Sequence, residues 1–357
     1  MYEQRIDDLK KLVSRFPRVR LAFLPTPVYL MENLTDEFKG PKIFVKRDDL
    51  TGLAFGGNKS RKLEFILAEA KEKGFKTVIT WGSLQSNWCL QLAAAAIKIG
   101  LRPVLVLFKS YDLPFTCDGN VFLEKLLGAE IIVKESPVKG KSLDQELAFK
   151  VLRELVGENR QKWPDPYLVS VGGSATGGHL DKPLGALAYF SAMLELAGQL
   201  GPENMPDYIV VATGSGATQA GLLVGARALG LKTIVLGICV SDRKEDFYPA
   251  VEKISGELID LLGLEVSLTG DDIILLDEYL GPGYGVVTRE ISFAVQHVFQ
   301  KEGLVLDPVY TGKAMVGLLD LLRKKYFSAG DRVLFFHTGG TPALFAFRDQ
   351  ILSCLDF

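Results

Sequence analysis

Phe55–Glu64 has the sequence FGGNKSRKLE, a double-glycine turn that leads directly into a segment with helical periodicity. Apolar residues after the turn recur three and four positions apart, at Leu63, Ile66, Leu67 and Ala70, which predicts a helix. Asn58 is the predicted N-cap, because its side chain can accept a hydrogen bond from a free N–H of the first turn. Lys59 therefore opens the helix.

Three cations, Lys59, Arg61 and Lys62, occupy the first turn of this predicted helix. The N-terminal end of a helix carries partial positive charge, so cations there are unfavourable, and such departures concentrate at functional sites. Crowded positive charge favours the neutral amine of a lysine, which attacks carbonyls, and it also attracts anions. A basic, solvated first turn is the alternative, but the two glycines let another group approach the backbone and favour a site.

Length and composition indicate an ordinary α/β protein of two domains. The 357 residues exceed what one core usually holds, and 48% of them are apolar and 24% charged. The net charge of -2 provides no overall field for nucleic acid or an anionic membrane, so neither is expected as a partner. Residues 209–226 carry no charge, but their centre, TGSGATQ, predicts a strand, a loop and a helix rather than a membrane span.

Cysteines and histidines show no metal-binding pattern. They lie far apart in the sequence, and no two of them have the short spacing typical of metal ligands. The residues are Cys89, Cys117, Cys239, Cys354, His179, His297 and His337. We expect reduced thiols and no metal site. The N-terminal sequence MYEQRIDDLKKLVSRF lacks the apolar core of a signal peptide, which favours a cytoplasmic protein.

Apolar runs alternate with helical segments along most of the chain. The predicted strands are 42–49, 77–80, 103–108, 130–133, 167–171, 208–213, 233–240 and 333–337. Such alternation predicts an α/β fold whose parallel sheets are covered by helices on both faces. Because residues 157–166 are polar and proline-containing, we predict a small domain, residues 56–164, inserted into a large domain formed by residues 1–55 and 165–357. Ligands of such folds bind at the carboxyl ends of the strands, here in the cleft between domains.

Three loops at predicted strand ends carry polar groups suited to ligands. The first, WGSLQSN (81–87), delivers Ser86 and Asn87 to the start of a helix. Hydroxyl, amide and free backbone N–H groups together suit a carboxylate there. A simple helix cap is the alternative interpretation, and for this loop taken alone it is the commoner case.

The second loop, ATGSGATQAG (212–221), also opens a helix. Its glycines and hydroxyls favour a phosphate bound on exposed backbone amides. A GxGxxG motif would require glycine at Gln219, and a Walker loop would require a Gly-Lys-Ser/Thr ending, so neither nucleotide motif fits. The loop therefore predicts a phosphate-bearing ligand that is not a dinucleotide.

The third loop, HTGGTPALFAF (337–347), is preceded in the chain by LDPVYTGKAM (306–315). Tyr310 and Thr311 follow a proline-constrained turn, and Tyr284 lies in the sequence GPGYG. A tyrosine near a cofactor can transfer protons, although an ordinary buried or interfacial tyrosine is the commoner case. A lysine that forms an imine, together with a separate phosphate cup, points to pyridoxal phosphate, which carries an aldehyde and a phosphate.

Five stretches in this order resemble one known family: GGNKSRKLE, GSLQSN, TGSGATQAG, DPVYTGKAM and HTGGTPALFAF. They are similar to the pyridoxal-phosphate enzymes of the 1-aminocyclopropane-1-carboxylate deaminase and D-cysteine desulfhydrase family, over nearly the whole chain after Leu24. The resemblance implies the tryptophan-synthase β-like fold, also called fold type II, with two domains that each hold a mainly parallel twisted sheet. It also implies a homodimer.

The resemblance assigns roles to residues of the opening stretch and the first loop. Lys59 would bond to the cofactor's aldehyde and, once displaced by substrate, act as the base at the α-carbon. Asn87 would hydrogen-bond the phenolic oxygen of the cofactor, and Ser86 would help hold the substrate carboxylate. Trp88, directly after them, would line the substrate pocket.

The remaining roles fall on the second and third loops. The phosphate would bind the loop Thr213, Gly214, Ser215, Gly216, Ala217 and Thr218, with Lys62 as added positive charge. Tyr284 and Tyr310 match the two active-site tyrosines of the deaminase.

Departures from the deaminase pattern bear on the substrate. The deaminase has a glutamate near the pyridine nitrogen where this chain has Thr311, and a neutral hydroxyl implies a less protonated ring and an easier β-elimination. Threonine here is similar to the desulfhydrase branch. Trp88 replaces a polar residue of the deaminase, and residues 172–187, which include His179, form a longer segment than is typical.

The sequence therefore predicts a lyase that eliminates a β leaving group from a small amino acid. D-Cysteine is the expected substrate, giving pyruvate, ammonia and hydrogen sulfide. The alternatives are 1-aminocyclopropane-1-carboxylate deamination, elimination from cysteate or D-serine, and a pyridoxal-phosphate binding protein without turnover. Either Tyr284 or Tyr310 would protonate the departing group.

Overall fold

Ten strands form two separate sheets in the computed structural model, which describes residues 2–111 and 117–355. The strands are β1 (Val28–Leu30), β2 (Lys42–Arg47), β3 (Thr77–Ser83), β4 (Arg102–Lys109), β5 (Glu130–Glu135), β6 (Tyr167–Leu168), β7 (Tyr208–Thr213), β8 (Ile234–Cys239), β9 (Ile274–Leu276) and β10 (Arg332–His337). The larger sheet has the order β1-β2-β10-β7-β8-β9, and the smaller one has the order β5-β4-β3-β6. Every described pair is parallel except β1 with β2.

Helices connect the strands and cover the sheets. They are α1 (Tyr2–Val13), α2 (Glu32–Phe38), α3 (Asn58–Glu72), α4 (Asn87–Lys98), α5 (Gly119–Leu126), α6 (Gln145–Glu158), α7 (Leu184–Leu200), α8 (Ala217–Ala228), α9 (Lys244–Leu262), α10 (Arg289–Glu302), α11 (Thr311–Arg323), α12 (Thr341–Ala346) and α13 (Arg348–Ser353). Short 3-10 turns occur at Asp48–Leu50, Leu53–Phe55, Val171–Gly173, Pro202–Asn204 and Gly270–Asp272. Among these described helices, none is both long and apolar enough to cross a membrane.

Burial on both faces explains why the strands are continuous apolar runs. All seven residues of β3 are buried, as expected for a parallel strand covered by helices on both sides. The strand predicted at 208–213 coincides with β7. The strand predicted at 167–171 is shorter, because the chain leaves the sheet after Leu168 and turns at Gly172, whose φ is +69°.

The domain limits remain a prediction. β6, at Tyr167–Leu168, pairs with β3 in the four-stranded sheet, although it lies just beyond the predicted limit at residue 164. A small domain that holds its complete sheet therefore has to extend at least to Leu168. Helix α3 packs against α7 as well as α4, and its side chains belong to the largest hydrophobic cluster.

A buried ionic network fixes α3 to its neighbours. Arg61 donates to both carboxylate oxygens of Asp48 at 2.8 Å and to both oxygens of Glu195 at 2.8 and 2.9 Å. The hydroxyl of Tyr189 donates to Asp48 at 2.6 Å, and Lys46 donates to Glu195 at 2.6 Å. Although burial opposes charge on Glu195, hydrogen bonds and attraction from Arg61 and Lys46 hold the pKa of that carboxyl at about 2.

We expect Asp48→Asn to lower the free energy of unfolding by about 3–5 kcal/mol, because it leaves the Arg61 guanidinium buried beside a neutral amide. Urea unfolding of both proteins measures the difference. Asp8→Asn is the matched control, since Asp8 bonds Lys11 on the exposed face of α1 and its loss should not change the midpoint measurably. Equal effects of the two substitutions would contradict the role given to the network.

Candidate active site

A cavity of about 960 Å³, solvent at its mouth included, lies where strand ends of both sheets face each other. One wall comes from the end of β3, the start of α4 and the end of β4. The opposite wall comes from the ends of β7 and β10 and from the loops that hold Tyr284 and Tyr310. All three polar loops recognised in the sequence contribute to its lining, so polar groups converge where a small-molecule ligand would bind.

The double glycine places Lys59 at the cavity wall. Gly56 and Gly57 have φ angles of +72° and +130°, and a Cβ on either would collide with neighbouring atoms, so only glycine fits this turn. Gly57, rather than the predicted Asn58, is the N-cap of α3. Asn58 is the first residue of the helix, and its Nδ2 donates to the hydroxyl of Thr218 at 3.2 Å instead.

Lys59 is half-buried in the cavity lining, and its amine makes no hydrogen bond or ion pair with any residue in the described ranges. Burial lowers the pKa of Lys59 to about 8. The predicted crowding acts at Lys62, whose pKa is lowered by burial and then by the charge of Lys59, whereas burial is the cause of the shift at Lys59. Arg61 is neutralised by two carboxylates, and Lys62 points to the carbonyl of Gly172 at 3.2 Å.

Lys62 lies outside the cavity lining, in a buried position behind Lys59. It has no carboxylate partner among the described residues, and its Nζ lies 5.8 Å from the centre of the Tyr189 ring. Burial, and then the charge of Lys59, lower the pKa of Lys62 well below its ordinary value. An anion bound beside Gly172 would favour the charged form of this amine.

The loop after β7 forms an anion cup at the N-terminus of α8. Gly216 is the N-cap of that helix, with φ at +86°, and has no side chain that could cap it. As in any helix, the first-turn N–H groups have no partner within the helix, and here they are available to an anion. The hydroxyls are already engaged: Thr213 with Gln219 at 2.8 Å and Ser215 with Ser174 at 2.7 Å. Of the predicted loop residues, only Ala217 is absent from the cavity lining.

Ser86 and Asn87 begin α4 at the cavity. Ser86 is its N-cap and accepts from the N–H of Cys89 at 3.2 Å, so the cap and the cavity position coexist. The side-chain oxygen of Asn87 accepts from Asn120 at 2.8 Å, which leaves the Nδ2 of Asn87 available to a ligand. Trp88 donates its indole N–H to Thr80 at 2.7 Å, and the ring is therefore a fixed wall rather than a hydrogen-bonding group.

Tyr284 and Tyr310 meet at the opposite wall, with their hydroxyl oxygens 2.5 Å apart. Lys313 holds the loop of Tyr284, because its buried ammonium donates to the carbonyls of Gly283 at 2.7 Å, Leu280 at 2.9 Å and Val240 at 3.1 Å.

Asp307 fixes the backbone around Tyr310. One of its carboxylate oxygens accepts from the N–H of Val309 and of Tyr310, each at 2.8 Å. Its other oxygen accepts from the N–H of Thr311 at 2.9 Å and from the Thr311 hydroxyl at 2.7 Å.

Besides Lys62 and Ala217, two more residues singled out from the sequence do not line the cavity. Thr311 is fully buried with its hydroxyl bound to Asp307, and Thr338 and Gly339 form that part of the wall. His179 accepts from the N–H of Leu168 at 2.9 Å and stacks on Tyr167, away from the site. From residues 172–187, only Gly172 contributes to the lining.

Sequence reasoning did not identify the residues that orient the site. Asp307 and Lys313 lie within a stretch already recognised, and their burial among polar partners was the missing information. Asn120 and Tyr111 lie in no recognised motif, so no sequence signal pointed to them. Within residues 2–111 and 117–355, no cluster of His, Cys, Asp and Glu side chains is arranged to hold a metal ion.

We expect Lys59→Met to stabilise the protein stripped of bound ligands by about 1–3 kcal/mol at pH 7. The pKa of Lys59 is about 8 in the folded state, below the ordinary 10.5, so the buried ammonium costs stability fully below pH 8. The unfolded chain binds more protons between pH 8 and 10.5, so the cost disappears over that window. Urea unfolding at pH 7 and pH 10 should show the gain shrinking.

The control for Lys59→Met is Lys98→Met, which removes an exposed lysine at the end of α4 and should change little at either pH. Destabilisation by Lys59→Met at pH 7 would contradict the cost assigned to its burial.

Comparisons with known proteins agree with this geometry. The family model "Pyridoxal-phosphate dependent enzyme" matches residues 19–339. The chain is 39% identical over 346 residues to D-cysteine desulfhydrase of Yersinia enterocolitica, covering 96% of this chain and 99% of that protein. It is also 39% identical to D-cysteine desulfhydrase of Klebsiella pneumoniae strain 342, covering 95% and 98%.

A solved structure has the same architecture. The crystal structure of an ACC deaminase homologue superposes with a TM-score of 0.84 at 36% identity, covering 97% of this chain and 99% of that one. The predicted fold type II, with two domains built on parallel sheets, is therefore confirmed.

The residues of the cavity fit pyridoxal phosphate. A partner-free amine at Lys59 suits its aldehyde, and the unpaired N–H groups that begin α8 suit its phosphate. The free Nδ2 of Asn87 also lines the cavity and suits an oxygen on the ring as a hydrogen-bond donor. The chain belongs to the family of pyridoxal-phosphate dependent enzymes.

Proposed function

We propose that this protein is a lyase that catalyses α,β-elimination on a small amino acid, with D-cysteine giving pyruvate, ammonia and hydrogen sulfide. The observation that carries the proposal is the partner-free amine of Lys59 in one cavity with the hydroxyl pair of Tyr284 and Tyr310. Relatives at 39% identity over nearly the whole chain are D-cysteine desulfhydrases, which supports this substrate.

The chemistry at the α-carbon belongs to Lys59. Bound pyridoxal phosphate supplies an electron sink for the negative charge that develops when the α-proton is removed. With a pKa of about 8, the amine of Lys59 is partly neutral near pH 7 and can take that proton. The Arg61 ion pairs hold the first turn of α3, so the amine stays at the cavity wall.

Substrate and cofactor are oriented by two helix N-termini. The start of α4, with the hydroxyl of Ser86 and the unpaired N–H groups beside it, would hold the substrate carboxylate. The start of α8 would hold the cofactor phosphate, with Lys62 behind Gly172 as a second positive charge. Asn87 would donate its Nδ2 to the phenolic oxygen, because Asn120 occupies the other end of its amide.

The leaving group would face the tyrosine wall. Burial raises the pKa values of Tyr284 and Tyr310, so both hydroxyls are protonated at neutral pH. Each therefore has a proton that it would donate to the departing group. Trp88, Phe108 and Leu143 add apolar surface to the cavity lining. Thr311 would supply no charge near the pyridine nitrogen, because its side chain is a neutral hydroxyl. That hydroxyl is already bound to Asp307.

Cyclopropane ring opening is the second candidate, because the superposed solved structure is described as an ACC deaminase homologue. A Thr311→Glu exchange is a poor way to distinguish the two activities. It would place a second carboxylate against Asp307 in a fully buried position. Substrate comparison on the native chain is the direct test.

The proposal includes a homodimer, as the family resemblance implies, and a cytoplasmic location, as the N-terminal sequence and the cysteine pattern predict. The four cysteines form no disulfide in the described residues, which is compatible with a reducing compartment. Sedimentation of the purified protein would measure the oligomer directly.

We expect D-cysteine to give pyruvate and sulfide faster than L-cysteine, D-serine, cysteate or 1-aminocyclopropane-1-carboxylate in an anaerobic assay with added pyridoxal phosphate. Lys59→Ala should reduce the rate by about 10²–10⁴-fold, because the general base is lost. Lys98→Ala is the control and should keep the native rate.

Three outcomes would contradict the proposal. A faster reaction with the cyclopropane substrate, giving 2-oxobutyrate, would assign the protein as a deaminase. Preferred turnover of cysteate or D-serine would change the substrate. A bound cofactor that responds to none of these amino acids would indicate a binding protein without turnover.

A further inference from the structure

A chain of four hydroxyl groups runs from the small sheet to the cavity. The hydroxyl of Tyr111 lies 3.3 Å from Ser83, Ser83 lies 2.9 Å from Tyr284, and Tyr284 lies 2.5 Å from Tyr310. At its far end, the backbone N–H of Gln85 donates to the oxygen of Tyr111 at 2.9 Å. Tyr111 does not line the cavity and stays buried behind Ser83.

Each hydroxyl in this chain carries one hydrogen that needs an acceptor. Burial raises the pKa values of Tyr111, Tyr284 and Tyr310, so all of them are protonated at neutral pH. A reversed chain would leave the hydrogen of Tyr111 buried without an acceptor among the described residues, which is unfavourable.

One fixed donor sets the direction of the chain. Gln85 donates to Tyr111, so Tyr111 directs its own hydrogen to Ser83, the one acceptor within reach in the described part of the chain. Either oxygen can donate in the Ser83–Tyr284 and Tyr284–Tyr310 contacts. Continuing the direction that Tyr111 imposes makes Ser83 donate to Tyr284 and Tyr284 donate to Tyr310. The hydrogen of Tyr310 is left over, and Tyr310 is half-buried at the cavity wall whereas Tyr284 is 7% exposed.

We propose that Tyr111 is a positioning residue that, through Ser83 and Tyr284, makes Tyr310 present its hydroxyl hydrogen to the leaving group. This inference rests on the proposed elimination and names the acid among the two tyrosines. Tyr111 itself does not exchange its proton with the substrate.

The step balances as an ordinary elimination. Lys59 takes the α-proton, the Cβ–S bond breaks, and its electron pair leaves with the sulfur. The sulfur keeps the hydrogen of the substrate thiol and leaves as HS−, and the proton of Tyr310 forms the second S–H bond of hydrogen sulfide. The resulting phenolate then accepts a hydrogen bond from Tyr284. Solvent reprotonates Tyr310 after the product departs.

A purely packing role for Tyr111 is the alternative. Its ring lies 5.4 Å from that of Tyr284 and 5.7 Å from that of Phe347, centre to centre. Tyr111→Phe keeps this ring and removes only the hydroxyl, so it separates the two roles. Tyr167→Phe is the matched control, because the hydroxyl of Tyr167 is buried without a hydrogen-bond partner in the part of the chain that the structure describes.

The kinetic test compares two substrates whose leaving groups differ in their need for a proton. We expect Tyr111→Phe to lower kcat for D-cysteine about tenfold with KM unchanged, as a fraction of the 10²–10⁴-fold typical of general acids. With β-chloro-D-alanine, chloride leaves without a proton and needs no general acid. Tyr111→Phe should therefore change that rate less than about twofold. Equal losses with both substrates would assign Tyr111 to packing and overturn the inference.

A double substitution tests whether Tyr111 acts through Tyr284. Because Tyr284→Phe already interrupts the chain, adding Tyr111→Phe should slow D-cysteine turnover no further. Additive losses would show an independent role and overturn the inference. Tyr167→Phe should keep the native rate with both substrates.

Neutron diffraction of deuterated crystals reads the direction of the chain without turnover. We expect deuterium on Ser83 directed at Tyr284, on Tyr284 directed at Tyr310, and on Tyr310 directed into the cavity. A reversed arrangement would overturn the inference even if D-cysteine is a substrate. Absence of pyruvate from the wild-type protein would instead refute the proposed function, while the neutron map still decides the direction.

Discussion

The ion pairs of Arg61 with Asp48 and Glu195 are the constraint on which the site depends. They join the first turn of α3 to the turn after β2 and to α7, so the helix cannot rotate or slide. Residues two positions apart on a helix point about 200° away from each other, so fixing Arg61 on one side directs Lys59 to the other. The network therefore holds the amine of Lys59 in a half-buried place, without a partner among the described residues. Burial alone would make that place unfavourable for a charged amine.

The separation of charges also explains how three cations coexist in one helical turn. Arg61 is neutralised by carboxylates, Lys62 contacts a carbonyl and a ring face, and Lys59 stays partly neutral through burial. Sequence alone places all three in the unfavourable field of a helix N-terminus, which predicts a functional site there. It does not reveal which of the three retains its charge, because that depends on partners distant in the chain.

Sequence patterns predicted the fold more completely than the site. Buried parallel strands such as β7 are uniform apolar runs, and the glycine loops at their ends mark ligand positions because backbone must approach closely there. Thr311 is an example of what a sequence motif does not determine. The motif gives its place in the chain, but whether its hydroxyl faces a ligand or Asp307 depends on three-dimensional packing. Asn120 and Tyr111 act through other side chains, and no local pattern encodes such indirect contacts.

The site exists only if the two sheets keep their positions relative to each other, because each contributes one wall. The N–H of Tyr284 donates to the carbonyl of Gly140 at 2.8 Å, and Ser142 donates to Asp242 at 2.5 Å, so loops beside the small sheet hold those beside the large one. The contact of Ser83 with Tyr284 crosses the same gap. The contact of Ser83 with Tyr284 thus joins the two walls of the cavity, and through it a hydroxyl from one wall would order the proposed acid on the other.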